Sequence, residues 1–136
     1  MALVLDCSAL ARWWIPGKEP SWSPGQIGAT ILAPAFLQIE WANTLLKLMR
    51  FRGLSAETAA SYRLRLKESG LTWVTDAGLL EGAWWLIHES TLSVYDALYV
   101  QLARTEGVPL ATADRRMSVA ASALGIPVAW AGGTSG

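Results

Sequence analysis

The 136-residue chain has no net charge and is 52% hydrophobic and 16% charged, which excludes intrinsic disorder and gives one domain enough apolar matter for a sizeable core. A single cysteine, Cys7, and a single histidine, His88, exclude an internal disulfide and a Cys/His zinc site, and suit a reducing compartment. No apolar run approaches the ~18 residues of a membrane span, and Met1-Ala2-Leu3-Val4-Leu5-Asp6 lacks the basic flank of a secretory signal, so a cytoplasmic protein is expected.

Ala2–Leu5 is a continuous apolar run, the pattern of a central parallel strand buried on both faces. Asp6-Cys7-Ser8 ends it, and Ala9–Ile15 reads as a short helix stopped by Pro16-Gly17. Prolines and glycines make residues 16–26 a loop, and Thr30–Ala33 reads as a second strand closed by Pro34. A long helix from Ala35 to the stop at Gly53 aligns Leu37, Trp41, Leu45 and Leu48 on one side and Glu40, Asn43, Thr44 and Lys47 on another. Ser55 caps the next helix, Ala56–Glu68, which Gly70 ends.

Leu71–Thr75 is a third strand, and a helix near Leu79–Ser90 carries Trp84, Trp85 and His88, the last with a structural role only. Ser93 opens Val94–Glu106, Leu110–Thr112 is a fourth strand, and Asp114 starts a helix running to Leu124. Ile126–Trp130 is an edge strand that tolerates Pro127. This alternation predicts a single α/β domain over residues 1–130, a three-layer α/β/α sandwich around a mostly parallel sheet, with a flexible tail at 131–136.

Four acids sit at the seams of that pattern: Asp6, Glu40, Asp96 and Asp114. Helix capping explains Asp6, Asp96 and Asp114 one at a time. Taken together, Asp6 and Asp114 each follow a strand, so a parallel sheet projects both from its carboxyl-terminal edge, which Asp96 reaches from a helix start. Four negative charges on one edge repel unless a cation separates them, and the oxygen-seeking ion that fits is Mg²⁺ or Mn²⁺.

The words around the acids resemble the PIN-domain nucleases, in particular the VapC-like toxins. Leu3-Val4-Leu5-Asp6-Cys7-Ser8 is similar to the opening strand and D-x-S segment of that family, and Glu40-Trp41-Ala42-Asn43-Thr44-Leu45 to its E-x-x-N-x-L motif. Tyr95-Asp96-Ala97 resembles the third motif, and Pro109-Leu110-Ala111-Thr112-Ala113-Asp114 the fourth. The resemblance implies a PIN-like sandwich and a metal-dependent endoribonuclease, with Asp6, Glu40, Asp96 and Asp114 as catalytic metal-binding acids and Ser8, Asn43 and Thr112 in support. It also implies a cognate antitoxin that pushes an arginine into the acidic pocket. Pro16–Ala29, where the family usually carries a helix, is rich in proline and glycine.

Residues 1–70 hold eight Lys/Arg against five Asp/Glu, and residues 71–136 three against six. Arg12, Lys47, Arg50 and Arg52 are therefore the expected phosphate contacts for an RNA substrate, while Trp13 and Trp14 either stack on a base or pack. Eight tryptophans and the apolar excess suggest a homodimer. Competing readings are a non-catalytic PIN-like module that binds RNA or protein, a DNA nuclease of the wider superfamily, and a phosphorylation-responsive receiver domain. The last needs a late lysine, and none follows Lys67.

Overall fold

The computed structural model describes residues 2–18, 21–25 and 29–133. Its strands are β1 (Ala2–Leu5), β2 (Thr30–Pro34), β3 (Thr72–Val74), β4 (Leu110–Thr112) and β5 (Val128–Trp130). Its helices are α1 (Cys7–Trp14), α2 (Phe36–Arg52), α3 (Ala56–Lys67), α4 (Asp76–Leu86), α5 (Val94–Glu106) and α6 (Arg115–Ala123), with a 3-10 turn at Ile87–Glu89. The strands form one sheet in the order β3-β2-β1-β4-β5, and every pairing is parallel, so the expected α/β sandwich is present and its sheet is wholly parallel.

Strand order fixes where a ligand can enter. From β1 the chain steps to β2 and then β3 on one side, crosses back to β4 on the other side of β1, and continues to β5. The direction therefore reverses between β1 and β4, and in open parallel sheets the crevice lies at the carboxyl ends of the strands at such a reversal. Val4 pairs with Leu110 and Leu5 with Ala111, so the next residues up each strand, Asp6 and Thr112, face each other at the mouth of that crevice.

The core gathers on both faces of β1 and β4, whose residues Leu3–Leu5 and Leu110–Thr112 are buried. Trp41 of α2 is fully buried and meets Trp14 and Tyr62 edge-on, at centroid distances of 5.9 and 6.0 Å. Its Nε1 donates to the Tyr62 carbonyl at 3.3 Å. Trp41→Ala is expected to cost about 3–5 kcal/mol in a urea unfolding titration, because it empties a cavity that α1, α2 and α3 share. Gly53 ends α2 at φ 72°, a left-handed backbone that side chains resist.

Several boundaries differ from the sequence reading. Helix α1 starts at Cys7, two residues before the expected Ala9, because Asp6 itself caps it through the Ala9 N–H. Helix α4 starts at Asp76 instead of Leu79, and the Asp76 carboxylate also accepts from Phe36 N at 2.9 Å, which ties α4 to the start of α2. Strand β5 begins at Val128, since Ile126 N still bonds the Ala121 carbonyl of α6. The tail expected from residue 131 is fastened further along. Ala131 is buried with its N–H on the Thr112 carbonyl at 2.8 Å, and Trp130 Nε1 donates to Gly133 O at 3.0 Å. Residues 134–136, residues 19–20 and 26 of the expected loop, and residues 27–28 after it lie outside the described residues.

Candidate active site

Asp6 is the deepest of the four acids. Strand β1 delivers it to the sheet edge, where it is only 3% exposed. Ser8 Oγ donates to its Oδ1 at 2.7 Å, Ala9 N to the same oxygen at 2.9 Å, and the Thr112 hydroxyl to Oδ2. Burial still dominates over these bonds and pushes the carboxyl up from 3.8 to about 6, with the Glu40 charge adding to the rise. The Ser8 hydroxyl also accepts from Ala113 N at 2.8 Å and lies 3.2 Å from the Thr112 hydroxyl. Thr112 Oγ1 accepts from Asp114 N at 3.0 Å, so the same small network that holds Asp6 sets the start of α6.

The other three acids line up behind it. Glu40 sits half-buried on α2 and accepts a hydrogen bond from Tyr99 OH of α5. Its carboxyl is raised by burial, with the Tyr99 bond opposing and the Asp96 charge adding. Asp96, in the first turn of α5, is raised by burial and then by the charge of Asp114, with Arg116 opposing. Asp114 caps α6, its Oδ1 accepting from Arg116 N at 2.9 Å and Met117 N at 3.3 Å. Asp6 thus feels Glu40, Glu40 feels Asp96, and Asp96 feels Asp114. The sheet edge carries an unbroken run of mutually repelling carboxylates.

Each acid is also turned toward a neighbour: Asp6 to Ser8 and Thr112, Glu40 to Tyr99, and Asp96 to Arg116 through Nη2–Oδ2 at 3.2 Å. As arranged, no three of the described Asp, Glu, His or Cys side chains converge on one point tightly enough to grip an ion. The donor chemistry nonetheless fits a hard divalent cation, since every candidate ligand is oxygen and Arg116 forms an ion pair with only one of the acids, Asp96, among the described residues.

The remaining predicted residues divide by position. Asn43 and Lys47 are exposed on α2, one and two turns beyond Glu40, and Lys47 is near enough to favour the Cys7 thiolate. Arg50 and Arg52 lie ten and twelve residues past Glu40, about 15–18 Å along the helix, and are not brought to the acids. Arg12 is half-buried in the last turn of α1. Trp14 is buried and Trp13 packs on Trp14 and Trp22, so both serve packing. Cys7 is a small buried hydrophobe, with burial raising its thiol to about 12. His88 is exposed, and its ring meets those of Trp84 and Trp85.

A model of the PIN domain family matches residues 3–123. The chain belongs to the PIN domain family. A Pyrobaculum aerophilum relative named Ribonuclease VapC3 is 36% identical over 135 residues, covering 93% of this chain and all of the relative. A Mycobacterium tuberculosis protein of the same name is 34% identical over 86 residues, 63% of this chain, and the match spans only 61% of that relative. Among solved structures, PAE2754 from Pyrobaculum aerophilum superposes with a TM-score of 0.61 at 28% identity, covering 88% of this chain and 87% of that one. VapC20 of Mycobacterium tuberculosis, described as a Sarcin-Ricin loop cleaving toxin, shares the fold at a TM-score of 0.62 and 22% identity, covering 87% and 94%.

Two residues of this PIN domain escaped the sequence reading. Tyr99 is fully buried and holds Glu40, and Arg116 holds Asp96. A signal existed for each. Tyr99 lies three residues after Asp96 and so shares its helix face. Arg116 belongs to a pair of arginines directly after the last acid, in the half of the chain where acids outnumber bases.

Proposed function

We propose that this PIN domain is an endoribonuclease that hydrolyses RNA phosphodiester bonds with Mg²⁺ or Mn²⁺, and that it acts as the toxin of a toxin–antitoxin pair. One observation carries the reading: a carboxylate buried at the sheet's reversal point is followed by three more acids, each repelling the next. A fold gains nothing from that arrangement alone, because neutral Ser, Thr or Asn caps serve helices as well without the desolvation cost. Such costs are kept where function needs them.

Asp6, Glu40, Asp96 and Asp114 would hold the ion. Mg²⁺ usually keeps several waters and takes one or two carboxylates, so a run of acids without a tight three-ligand cluster meets its demand. The ion, when bound, supplies a water of lowered pKa and offsets charge growing on phosphorus. The chain's own residues do the positioning. Ser8 and Thr112 hold the Asp6 oxygens, Tyr99 holds Glu40, and Asn43 faces solvent beside it as a candidate support for the attacking water. Lys47 is the sequence-predicted cation best sited for RNA phosphate, being near enough to favour the Cys7 thiolate beside Asp6.

The names of the relatives support a ribonuclease, and the toxin description of a fold neighbour supports the toxin role. A toxin must be silenced in the cell that makes it, which calls for an antitoxin. Exposed apolar side chains such as Ile39 and Phe51 on α2 and Trp84 and Trp85 on α4 offer surface for that partner or for a second copy in a homodimer. A cytoplasmic setting suits this role, and no described helix is long and apolar enough to cross a membrane. The non-catalytic alternative is less favoured, because a binding module has no need to retain all four acids.

The test is cleavage of total RNA and of short single-stranded RNAs by the purified chain, with EDTA, Mg²⁺ or Mn²⁺. Cutting that EDTA stops and either ion restores is the expected result. Undiminished cutting in EDTA removes the metal from the proposal, and no cutting under any condition removes the ribonuclease.

A further inference from the structure

Helix α6 is capped by the Asp114 carboxylate, but its first turn departs from the usual charge pattern. Its first turn holds no acid but two arginines, Arg115 and Arg116, at the end where the helix dipole is positive and cations are disfavoured. Both are exposed. Arg115 lies over the Trp130 ring at 5.2 Å, and Arg116 reaches Asp96 while remaining 60% exposed. Three residues beyond Arg116 on the same face stands Val119, an apolar side chain 63% exposed. Between this face and the Glu89–Thr91 segment lies a cavity of about 460 Å³, lined by both arginines, Glu89, Thr91 and Val119 and floored by small side chains of α6.

We propose that this cavity is a subsite for the unpaired nucleotide that flanks the scissile phosphate. The inference deepens the ribonuclease reading and rests on it. The volume lies in the ~300–1,000 Å³ range of small-ligand sites. Of the two lining arginines, Arg115 lies over Trp130 and Arg116 keeps an exposed guanidinium beside Asp96, which matches a phosphodiester that arginine grips through paired N–H donors. The apolar wall of Val119 and its neighbours takes the flat face of a base. The Glu89 carboxylate can accept from an exocyclic amino group, as carboxylates do on cytosine. Because Arg116 already touches Asp96, the subsite opens one side chain away from the acids, which makes its occupant a neighbour of the cut bond. An acidic peptide would satisfy the arginines but brings no flat base for the apolar wall and no amino group for Glu89.

The test uses an RNA that the protein cuts at a mapped bond, with single abasic residues placed in turn on either side of that bond. Wild type is expected to lose about tenfold in kcat/KM when the base at one flank is removed, the scale of base stacking on protein. Val119→Glu should cut the intact RNA about as poorly and lose nothing further at that position, with its thermal melt unchanged, since Val119 is largely exposed. Leu64→Glu, on the exposed face of α3, should keep the wild-type discrimination. If wild type cuts RNA but Val119→Glu masks no abasic position, the subsite is overturned and the ribonuclease stands. If no RNA is cut, both fall. Loss of binding to an Asp/Glu-rich peptide in Val119→Glu, with RNA cleavage unaltered, also overturns the nucleotide in favour of a protein partner.

Discussion

Asp96→Asn is expected to lower RNA cleavage on the order of 10³-fold, about 4 kcal/mol of transition-state stabilisation, while leaving the melting temperature nearly unchanged. The two halves of that expectation have separate structural grounds. Helix α5 is capped by Ser93, whose hydroxyl accepts from Asp96 N at 3.2 Å, so the Asp96 side chain is not needed to start the helix. Asn keeps its size. The bond that changes is the pair with Arg116, and a pair whose arginine is 60% exposed is worth at most about 1 kcal/mol. What disappears is one negative charge from the middle of the carboxylate run, between Glu40 and Asp114. Activity measured as kcat/KM beside a thermal melt separates the two effects. Wild-type activity in the variant would leave Asp96 as nothing more than a partner for Arg116, and the carboxylate run would not be the catalytic centre.

Much of this arrangement was legible in the chain, for identifiable reasons. Continuous apolar runs marked β1 and β4 as central because strands buried on both faces leave no room for alternation, and the acid after each run then had to emerge at the same edge. Glycines at helix ends fixed where α2 and α5 stop, since Gly53 and Gly107 adopt left-handed backbones there. Helix starts were less legible. Asp76 lies in the first turn of α4, yet its carboxylate bonds Phe36 N at the start of α2, forty positions away, a tie that sequence spacing does not reveal. The basic residues were hard to place for a related reason. Charge counted along the chain pointed to Arg50 and Arg52, yet a helix of seventeen residues carries its end far from an acid near its start. The crevice takes its cation instead from Arg116, which the fold brings to Asp96 from twenty residues away. Tyr99 belongs to the same class: its place on the Asp96 face was readable, but its hydrogen bond to Glu40, between α2 and α5, is a product of tertiary packing.

Asp6 should also make the metal-free protein less stable as pH rises. Its carboxyl titrates at about 6 in the folded state against 3.8 when solvated, so between those values the folded chain keeps a proton that the unfolded chain has released. The folded state then binds more protons than the unfolded one, and the linkage relation makes stability fall with increasing pH across that window. Two pK units correspond to roughly 3 kcal/mol, present below about pH 4 and lost above about pH 6. Glu40 and Asp96 are raised as well and act in the same direction. Thermal melts in EDTA are therefore expected to show a higher melting temperature at pH 5 than at pH 7.5. Asp6→Asn, which removes the titrating group but keeps an acceptor for Ser8 and Ala9, should flatten that slope and raise the neutral-pH value. A divalent ion held by these acids offsets most of the Asp6 loss, since a ligand at a hundredfold over its Kd stabilises by about 2.7 kcal/mol. Mn²⁺ should then raise the melting temperature of wild type at pH 7.5, do little at pH 4, and do less in Asp6→Asn at either pH. An EDTA profile that climbs with pH would mean that Asp6 is ionised comfortably where it lies, and the desolvated carboxylate on which the metal reading stands would be gone.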